Sequence, residues 1–342
     1  MMNGDDKTRE AADPAILTFI RNSGLVAVAG PLEMAPLTGG VASDIWKVEA
    51  DGKVFVVKKA LARLRVAREW NAPVSRNASE VEWMLEAGRI APHSVPAILA
   101  HDAAIGAYAM EYLDPADHPV WKTELHAGRA DEAFAADLGR IMASLHSRTA
   151  GRADIARRFD NDATFHSIRL EPYLEATSLA HPDLRERLFQ LSAETLARKV
   201  ALVHGDISPK NILVGPRGPV ILDAECAWYG DPAFDLAFCL NHLLLKCLWT
   251  PGSATAFLRC FDALAAAYFE GADWEPRSDL EARVAALLPA LFLARVDGKS
   301  PVEYITEAAD KDRIRRTARP LVATPSKTLS ALRDAWAKEI RA

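Results

Sequence analysis

The chain has 342 residues, 50% of them hydrophobic and 25% charged, with a formal net charge of −5. That length is too great for one small domain and suits two lobes sharing a cleft. A negative chain with no broad basic field excludes nucleic acid as the main partner. No uninterrupted apolar run is long enough to span a bilayer, so no membrane partner is expected.

The opening MMNGDDKTREAADP is polar and acidic, without an apolar core behind a basic start. Residues 1–13 therefore read as a flexible N-terminus rather than a signal peptide, and a cytoplasmic protein is expected. An amphipathic helix is predicted over residues 14–23. A glycine-bearing turn, Thr38-Gly39-Gly40, leads into two strands around Ile45–Val48 and Val54–Val57, with Asp51-Gly52 as the hairpin signal between them. In RNASEVEWMLEAG, Val81, Met84 and Leu85 recur at helical spacing, and Gly88 is a plausible stop.

VPAILAHDAAIGAYAMEYLD supplies two further short strands, and DEAFAADLGRIMASLHSRTA an amphipathic helix. ALVHGDISPKNILVG then sets a polar loop between two short apolar strands, and PVILD forms a third strand. Helices dominate from Asp235 onward. The stretch AFDLAFCLNHLLLKCLW is the most apolar, broken by Asp235, Asn241, His242 and Lys246. Cys226, Cys239, Cys247 and Cys260 form no CxxC pair and read as buried free thiols of a reducing compartment. The pattern is α+β, in two parts: a small β-rich lobe over residues 14–111 and a larger, mostly helical lobe over 112–342. No fixed-period repeat or low-complexity segment is evident.

The loop carries an acid and an amide five positions apart, Asp206 and Asn211, and Asp223 ends the next strand. Turn chemistry alone accounts for Gly205 and Pro209. Two carboxylates and an amide brought together by adjacent strands make a hard, oxygen-rich site suited to Mg²⁺. Upstream, Lys58 on the strand FVVKK and Glu80 on the following helix can form a fixed positive point for phosphates. Each feature alone is ordinary: strand lysines and helix glutamates are usually solvated, and TGG is usually a turn. Their order is the informative part. A Gly turn, strand Lys, helix Glu, MEYL, H-G-D-x-x-x-x-N and a strand-terminal Asp make up the part list of a kinase-like phosphotransferase.

With these residues in hand, the chain resembles the aminoglycoside phosphotransferase and choline kinase group of the protein-kinase-like fold, from about Leu37 to Leu240. HGDISPKN has Gly205 and Ser208 where protein kinases usually carry Arg and Lys, and ILDAECAWYGDPAFDLA replaces DFG. A closer local resemblance is to methylthioribose kinases, through VVKKALARLRVAREWNAPVSRNASE, Asp223-Ala224-Glu225 and the paired Arg315-Arg316. The loop itself departs from their H-G-D-L-H-T-G and is nearer the aminoglycoside kinase pattern.

The resemblance implies a two-lobed fold with the active site between the lobes, ATP and Mg²⁺ as cofactors, and a small-molecule hydroxyl acceptor: a sugar, a methylthioribose-like compound or an amino alcohol. Asp206 would accept or orient the hydroxyl proton. Asn211, Asp223 and Glu225 would be the metal side, and His204 and Asp235 would brace the loop. Lys58, oriented by Glu80, would hold phosphates. Lys59 and Glu82 are the neighbouring alternatives, but strand alternation lets only one lysine point that way, and Glu82 lies about 200° around the helix from Glu80.

The turn Thr38, Gly39, Gly40 to Ser43 would cover the phosphates with backbone N–H groups. Met110, Glu111 and Leu113 would meet the adenine. Trp228, Tyr229, Arg315 and Arg316 are the candidate substrate contacts. His146 reads as helix packing. The acidic excess from Glu225 to Asp279 would suit a polycationic acceptor, or would simply be solvated helix faces. Two other readings stay open: a nucleotide-binding pseudokinase acting as a scaffold, and a protein kinase. The Ala-Glu after Asp223 and the lack of a recognisable activation segment argue against the latter.

Overall fold

The computed structural model describes residues 13–27, 29–37, 43–61 and 76–341. The chain divides into two compact units, Met1–Val81 with Ala97–Tyr112, and Glu82–Pro96 with Leu113–Ala342. Residues 82–96 thus group with the second unit.

In the first unit, α1 (Pro14–Asn22) starts on Asp13, whose side chain accepts from the Ala15 N–H at 2.8 Å. Pro14 is placed at the start of the helix, where its missing N–H costs nothing. Then come β1 (Glu33–Pro36), β2 (Ser43–Ala50), β3 (Lys53–Ala60), α2 (Arg76–Ile90), β4 (Ile98–Asp102) and β5 (Ala107–Glu111). The strands form one antiparallel sheet in the order β1-β2-β3-β5-β4. The β2–β3 hairpin turns on Asp51 and Gly52 at φ 50° and 72°, the doubly left-handed turn that matches strand twist and favours Asp-Gly.

Ile16, Phe19 and Ile20 of α1 pack on Trp46, Val48, Phe55 and Val57, the unit's core. Phe55 and Val57 face that core, so strand alternation sends Lys59 to the same side and Lys58 to the other. α2 continues past Gly88 to Ile90, with the Ala91 N–H still donating to Ala87. A helical glycine costs only about 1 kcal/mol, which tertiary packing overrides here, so the expected stop at Gly88 is not used.

The second unit opens with α3 (Trp121–His126), α4 (Glu132–Thr149), α5 (Ala153–Arg158) and α6 (Asp162–Phe165). α6 runs into a π-helical segment, His166–Glu175, that contains Pro172. Next are α7 (Arg185–Ala197), β6 (Ala201–Val203), β7 (Ile212–Gly215), β8 (Gly218–Ile221) and β9 (Trp228–Gly230). The unit closes with α8 (Ala233–Trp249), α9 (Ala254–Gly271), α10 (Arg277–Asp297), α11 (Ala308–Ala323) and α12 (Ser330–Glu339).

β6 pairs with β9 and β7 with β8, both antiparallel. α8 packs against α9 and α10 and is buried from Ala233 to Leu248. A helix apolar on every face belongs in an interior, and its polar exceptions, Asp235, Asn241, His242 and Lys246, are therefore buried too. The four cysteines are free and buried. Among the described residues, no helix is long and apolar enough to cross a membrane.

Candidate active site

The loop from His204 to Asn211 joins β6 to β7 and is buried along most of its length. Gly205 has φ +80°, and a Cβ there would lie 2.8 Å from the Cys226 carbonyl oxygen, so both conformation and space demand glycine. Asp235, in the first turn of α8 and fully buried, accepts from the backbone N–H groups of His204 at 2.7 Å and Gly205 at 2.8 Å. His146 approaches the same carboxylate at 3.3 Å and meets the Tyr268 hydroxyl at 2.8 Å, so its packing position also steadies Asp235. His204 accepts the Asp206 N–H at Nδ1 (3.0 Å) and reaches the Leu222 carbonyl through Nε2 (3.1 Å). Burial holds its pKa below the usual histidine value, which suits a neutral ring that donates from Nε2. Trp83 packs edge-on against it at 4.7 Å.

The Asp206 carboxylate is held by Arg169 at 3.0 Å and Lys210 at 3.1 Å. Burial alone pushes its pKa up; the charges of Lys210 and Arg169 outweigh burial and hold it below the ordinary carboxylate value. Asp206 is therefore a buried carboxylate kept ionised. Asn211 donates its side-chain N–H to the Asp206 carbonyl at 3.1 Å, which leaves its oxygen as the end available to a cation.

The β7–β8 register, Ile212 opposite Ile221, is continued by the Leu222 N–H donating to Asn211 at 2.8 Å. The strand expected to end on Asp223 stops at Ile221. Asp223 lies two residues beyond, at φ +69°. A left-handed aspartate stores roughly 1 kcal/mol or more of strain, and such outliers point to function rather than folding. Carboxylate oxygens of Asp223 and Glu225 lie within 4.8 Å of each other. With the Asn211 amide, this is a hard-oxygen donor set that fits Mg²⁺ and leaves coordination sites for water and phosphate oxygens.

In the first unit, the buried Lys58 ammonium donates to Glu80 Oε1 at 2.8 Å. Lys59 instead pairs with Asp13, and Glu82 of the second unit receives Arg158 at 3.0 Å. Ser43 is buried at the start of β2; Thr38, Gly39 and Gly40 lie outside the described residues. Met110 and Glu111 end β5, with the Glu111 N–H donating to Ala97 at 2.9 Å, and Leu113 follows at the start of the second unit's longer segment.

A family model described as the phosphotransferase enzyme family matches residues 33–280. The chain belongs to the phosphotransferase enzyme family. A methylthioribose kinase of Escherichia coli O45:K1 is 27% identical over 237 residues, covering 61% of this chain and 56% of that relative. The chain therefore spans little more than half the length of that relative. A choline/ethanolamine kinase family protein of Mesorhizobium loti aligns over 94% of this chain and 98% of its own, at 17% identity and a TM-score of 0.51. The choline kinase of Cryptosporidium parvum Iowa II aligns over 96% of this chain and 94% of its own, at 12% identity and a TM-score of 0.52. Likeness at such identities is likeness of fold, and that fold is protein-kinase-like.

Within this phosphotransferase fold, the residues proposed from sequence as substrate contacts have other partners. Trp228 is fully buried, stacked on Phe165 at 4.1 Å, and donates to Asp162. Tyr229 donates its hydroxyl to the Val200 carbonyl. Arg315 binds Asp297 at 2.9 Å and Asp312 at 2.8 Å, and Arg316 reaches Glu339. Both arginines line an open pocket of about 560 Å³ with His181 and Arg319.

Three acidic residues of the 225–279 region are paired with arginines, Asp231 and Glu275 with Arg283 and Asp262 with Arg333, and Asp273 accepts from Ser147. Those four carboxylates are thus already engaged. Arg169 is the residue that sequence reasoning missed. It lies on the π-helical segment and also donates to the Gly205 carbonyl. Pro172 within a helical pattern was the one signal, since irregular helix often marks a functional position.

Proposed function

We propose that this chain is an ATP- and Mg²⁺-dependent kinase that phosphorylates a hydroxyl group of a small molecule. The observation that carries the reading is Asp206: a buried carboxylate, kept ionised by two cations, on a loop whose backbone is pinned by Asp235. Such a group orients an acceptor hydroxyl and takes its proton as the oxygen attacks the γ-phosphoryl group. The new O–P bond forms as the bond to ADP breaks, and the leaving electron pair stays on ADP. Mg²⁺, held by Asn211, Asp223 and Glu225, would neutralise charge building on the phosphates.

Lys58, fixed by Glu80, would hold the α- and β-phosphates, the turn from Thr38 to Ser43 would cover them, and Met110, Glu111 and Leu113 would receive adenine. The acceptor's proton, the phosphates and the metal each then have a dedicated group, as a loose transition state requires. Asp206→Ala tests the reading. ADP release with an accepted alcohol should fall about 10³-fold, while calorimetry shows ATP still bound. Unchanged turnover defeats the proposal. ATP binding without turnover of any hydroxyl compound by the parent protein would instead indicate a pseudokinase.

A further inference from the structure

The polar residues buried in α8 form a row. Phe238, His242, Lys246 and Trp249 recur at helical spacing and share one face. The row begins beside the loop, because Arg169, which holds Asp206, lies 5.9 Å from both the Phe238 and Tyr173 rings. Phe238 packs on His242 at 5.3 Å and on Tyr173 at 5.5 Å. Tyr173 in turn accepts from Arg295 of α10 at 3.0 Å. At the far end, the Lys246 ammonium lies 3.7 Å from the Tyr304 ring centre and 4.1 Å from that of Trp249.

The charges along this row do not balance. Asp206 is shared by Arg169 and Lys210, and Glu303 is held by Lys122. Lys246, 1% exposed, and Arg295, 8% exposed, have no carboxylate partner among the described residues. Among the described residues, His242 Nε2, Arg295 Nε and the Tyr304 hydroxyl are buried without a hydrogen-bond partner, while Arg295 also bonds Ser300 through Nη1. Burying an ionisable group without a counter-charge is costly, whether the charge is kept or given up, and orphaned donors beside it add to the cost. Groups of this kind, donors or ionisable amines gathered along and around one face of α8 that starts beside Arg169, match an anion.

The same wall argues against a cationic acceptor. Paired aromatic faces are how proteins hold quaternary ammonium groups, but here Trp249 and Tyr304 are already covered by Lys246.

We propose that the acceptor is a hydroxylated anion whose carboxylate or phosphate group is held by Lys246, His242 and Arg295, with its hydroxyl turned to Asp206. The proposal rests on the kinase reading for the reaction, not for the binding. Burial, together with the nearby charges of Lys122 and Arg295 and against that of Glu303, lowers the free Lys246 to about 6. Burial, with the charges of Arg295, Lys210 and Lys122, keeps His242 neutral. A bound anion restores the ammonium form of Lys246, so binding at pH 7.5 takes up a proton.

The test compares ADP release with gluconate against glucose, and glycerol 3-phosphate against glycerol, alongside methylthioribose, choline and kanamycin. At least one anion should exceed its neutral counterpart at least tenfold in kcat/KM, and whichever pair responds separates carboxylate from phosphate. Lys246→Met should raise KM for that anion at least tenfold with kcat changed less than threefold. Replacing a buried amine that has no carboxylate partner with an apolar side chain should not lower the melting temperature, and His242→Gln gives a second variant with the same expected KM effect.

Calorimetry of gluconate and glycerol 3-phosphate, in buffers of differing ionisation enthalpy, reads binding and proton uptake without turnover. Anion binding lost in Lys246→Met supports the site even where no acceptor is phosphorylated, the outcome that would count against the kinase reading alone. Higher kcat/KM for choline, kanamycin or methylthioribose than for every anion overturns the site and leaves the kinase reading standing. No anion binding and no anion preference overturns it as well.

Discussion

Asp235→Asn is the sharpest test of how the loop is held. The carboxylate accepts two backbone N–H groups, from His204 at 2.7 Å and Gly205 at 2.8 Å, with no solvent access. An asparagine offers one oxygen and, at the other position, an NH₂ that faces an N–H. One donor is then orphaned in the interior, at a cost of about 1–3 kcal/mol. The bond that survives loses its charge assistance, roughly another 1 kcal/mol. The sum is about 2–4 kcal/mol, or a melting temperature lower by roughly 3–6 °C for a chain of this length.

The bond is made by residues adjacent to Asp206, so the loop's shift reaches the acceptor's proton. A misplacement on the order of 1 Å lowers kcat/KM by about 10²-fold. Urea unfolding and ADP release read the two effects. Asp262→Asn is the control: its pair with Arg333 is half exposed, and such pairs contribute at most about 1 kcal/mol. If Asp235→Asn costs less than about 0.5 kcal/mol, within the range of an indifferent surface change, and leaves kcat/KM intact, Asp235 does not hold the loop.

Arg169→Met removes one of the two cations that keep Asp206 ionised against burial. The acid limb of kcat/KM, expected below the ordinary carboxylate range in the parent, should move upward, as read by pH–rate profiles; an unmoved limb means that Arg169 does not set the charge. The same depressed pKa has a stability consequence. Asp206 stabilises the fold above its unfolded pKa of about 3.9 and loses that contribution as pH falls through its lower folded value, a contribution that Arg169→Met should reduce. Asp223→Gly removes a carboxylate but relieves a left-handed residue at φ +69°. Relief of strain and the added freedom of the unfolded chain nearly cancel, so stability should stay within about 1 kcal/mol. Activity should fall at least ~10²-fold through the lost metal contact; preserved activity at ordinary Mg²⁺ would remove Asp223 from the metal side.

Legibility from sequence followed the range of the interactions. Asp51-Gly52, the loop between β6 and β7 and the β7–β8 hairpin are local, and their turn chemistry is written in consecutive residues. Strand alternation and helical rotation showed that only one lysine and one glutamate could pair, and the resemblance in the spacing of VV-K selected Lys58. The end of β8 was misjudged because apolar Leu222 continues the strand pattern, while Asp223 needs a backbone that no side-chain pattern announces. Gly88 misled for the opposite reason: a residue with weak local preference was overruled by packing.

Arg169 meets Asp206 across 37 positions, and no periodicity encodes which distant carboxylate a given arginine will find. For the same reason the sequence does not show that Arg315 and Arg316 pair with Asp297, Asp312 and Glu339.

What the acceptor is depends on that least legible class of interaction. In the proposed reading, the group that takes the acceptor's proton and those that hold the metal come from one loop, one hairpin and the residues just after it, which are close in sequence. The acceptor's wall draws on α8, α10, the π-helical segment and the region around Tyr304, four separate stretches. In the sequence, Asn241, His242 and Lys246 served only to show that an apolar run could not cross a membrane. Yet a polar residue on a helix that is buried all round must be satisfied from somewhere. Asp235 is satisfied by the loop. Among the described residues, Lys246 has no carboxylate partner and His242 Nε2 no hydrogen-bond partner, and in the proposed reading it is this residual demand that distinguishes the acceptor.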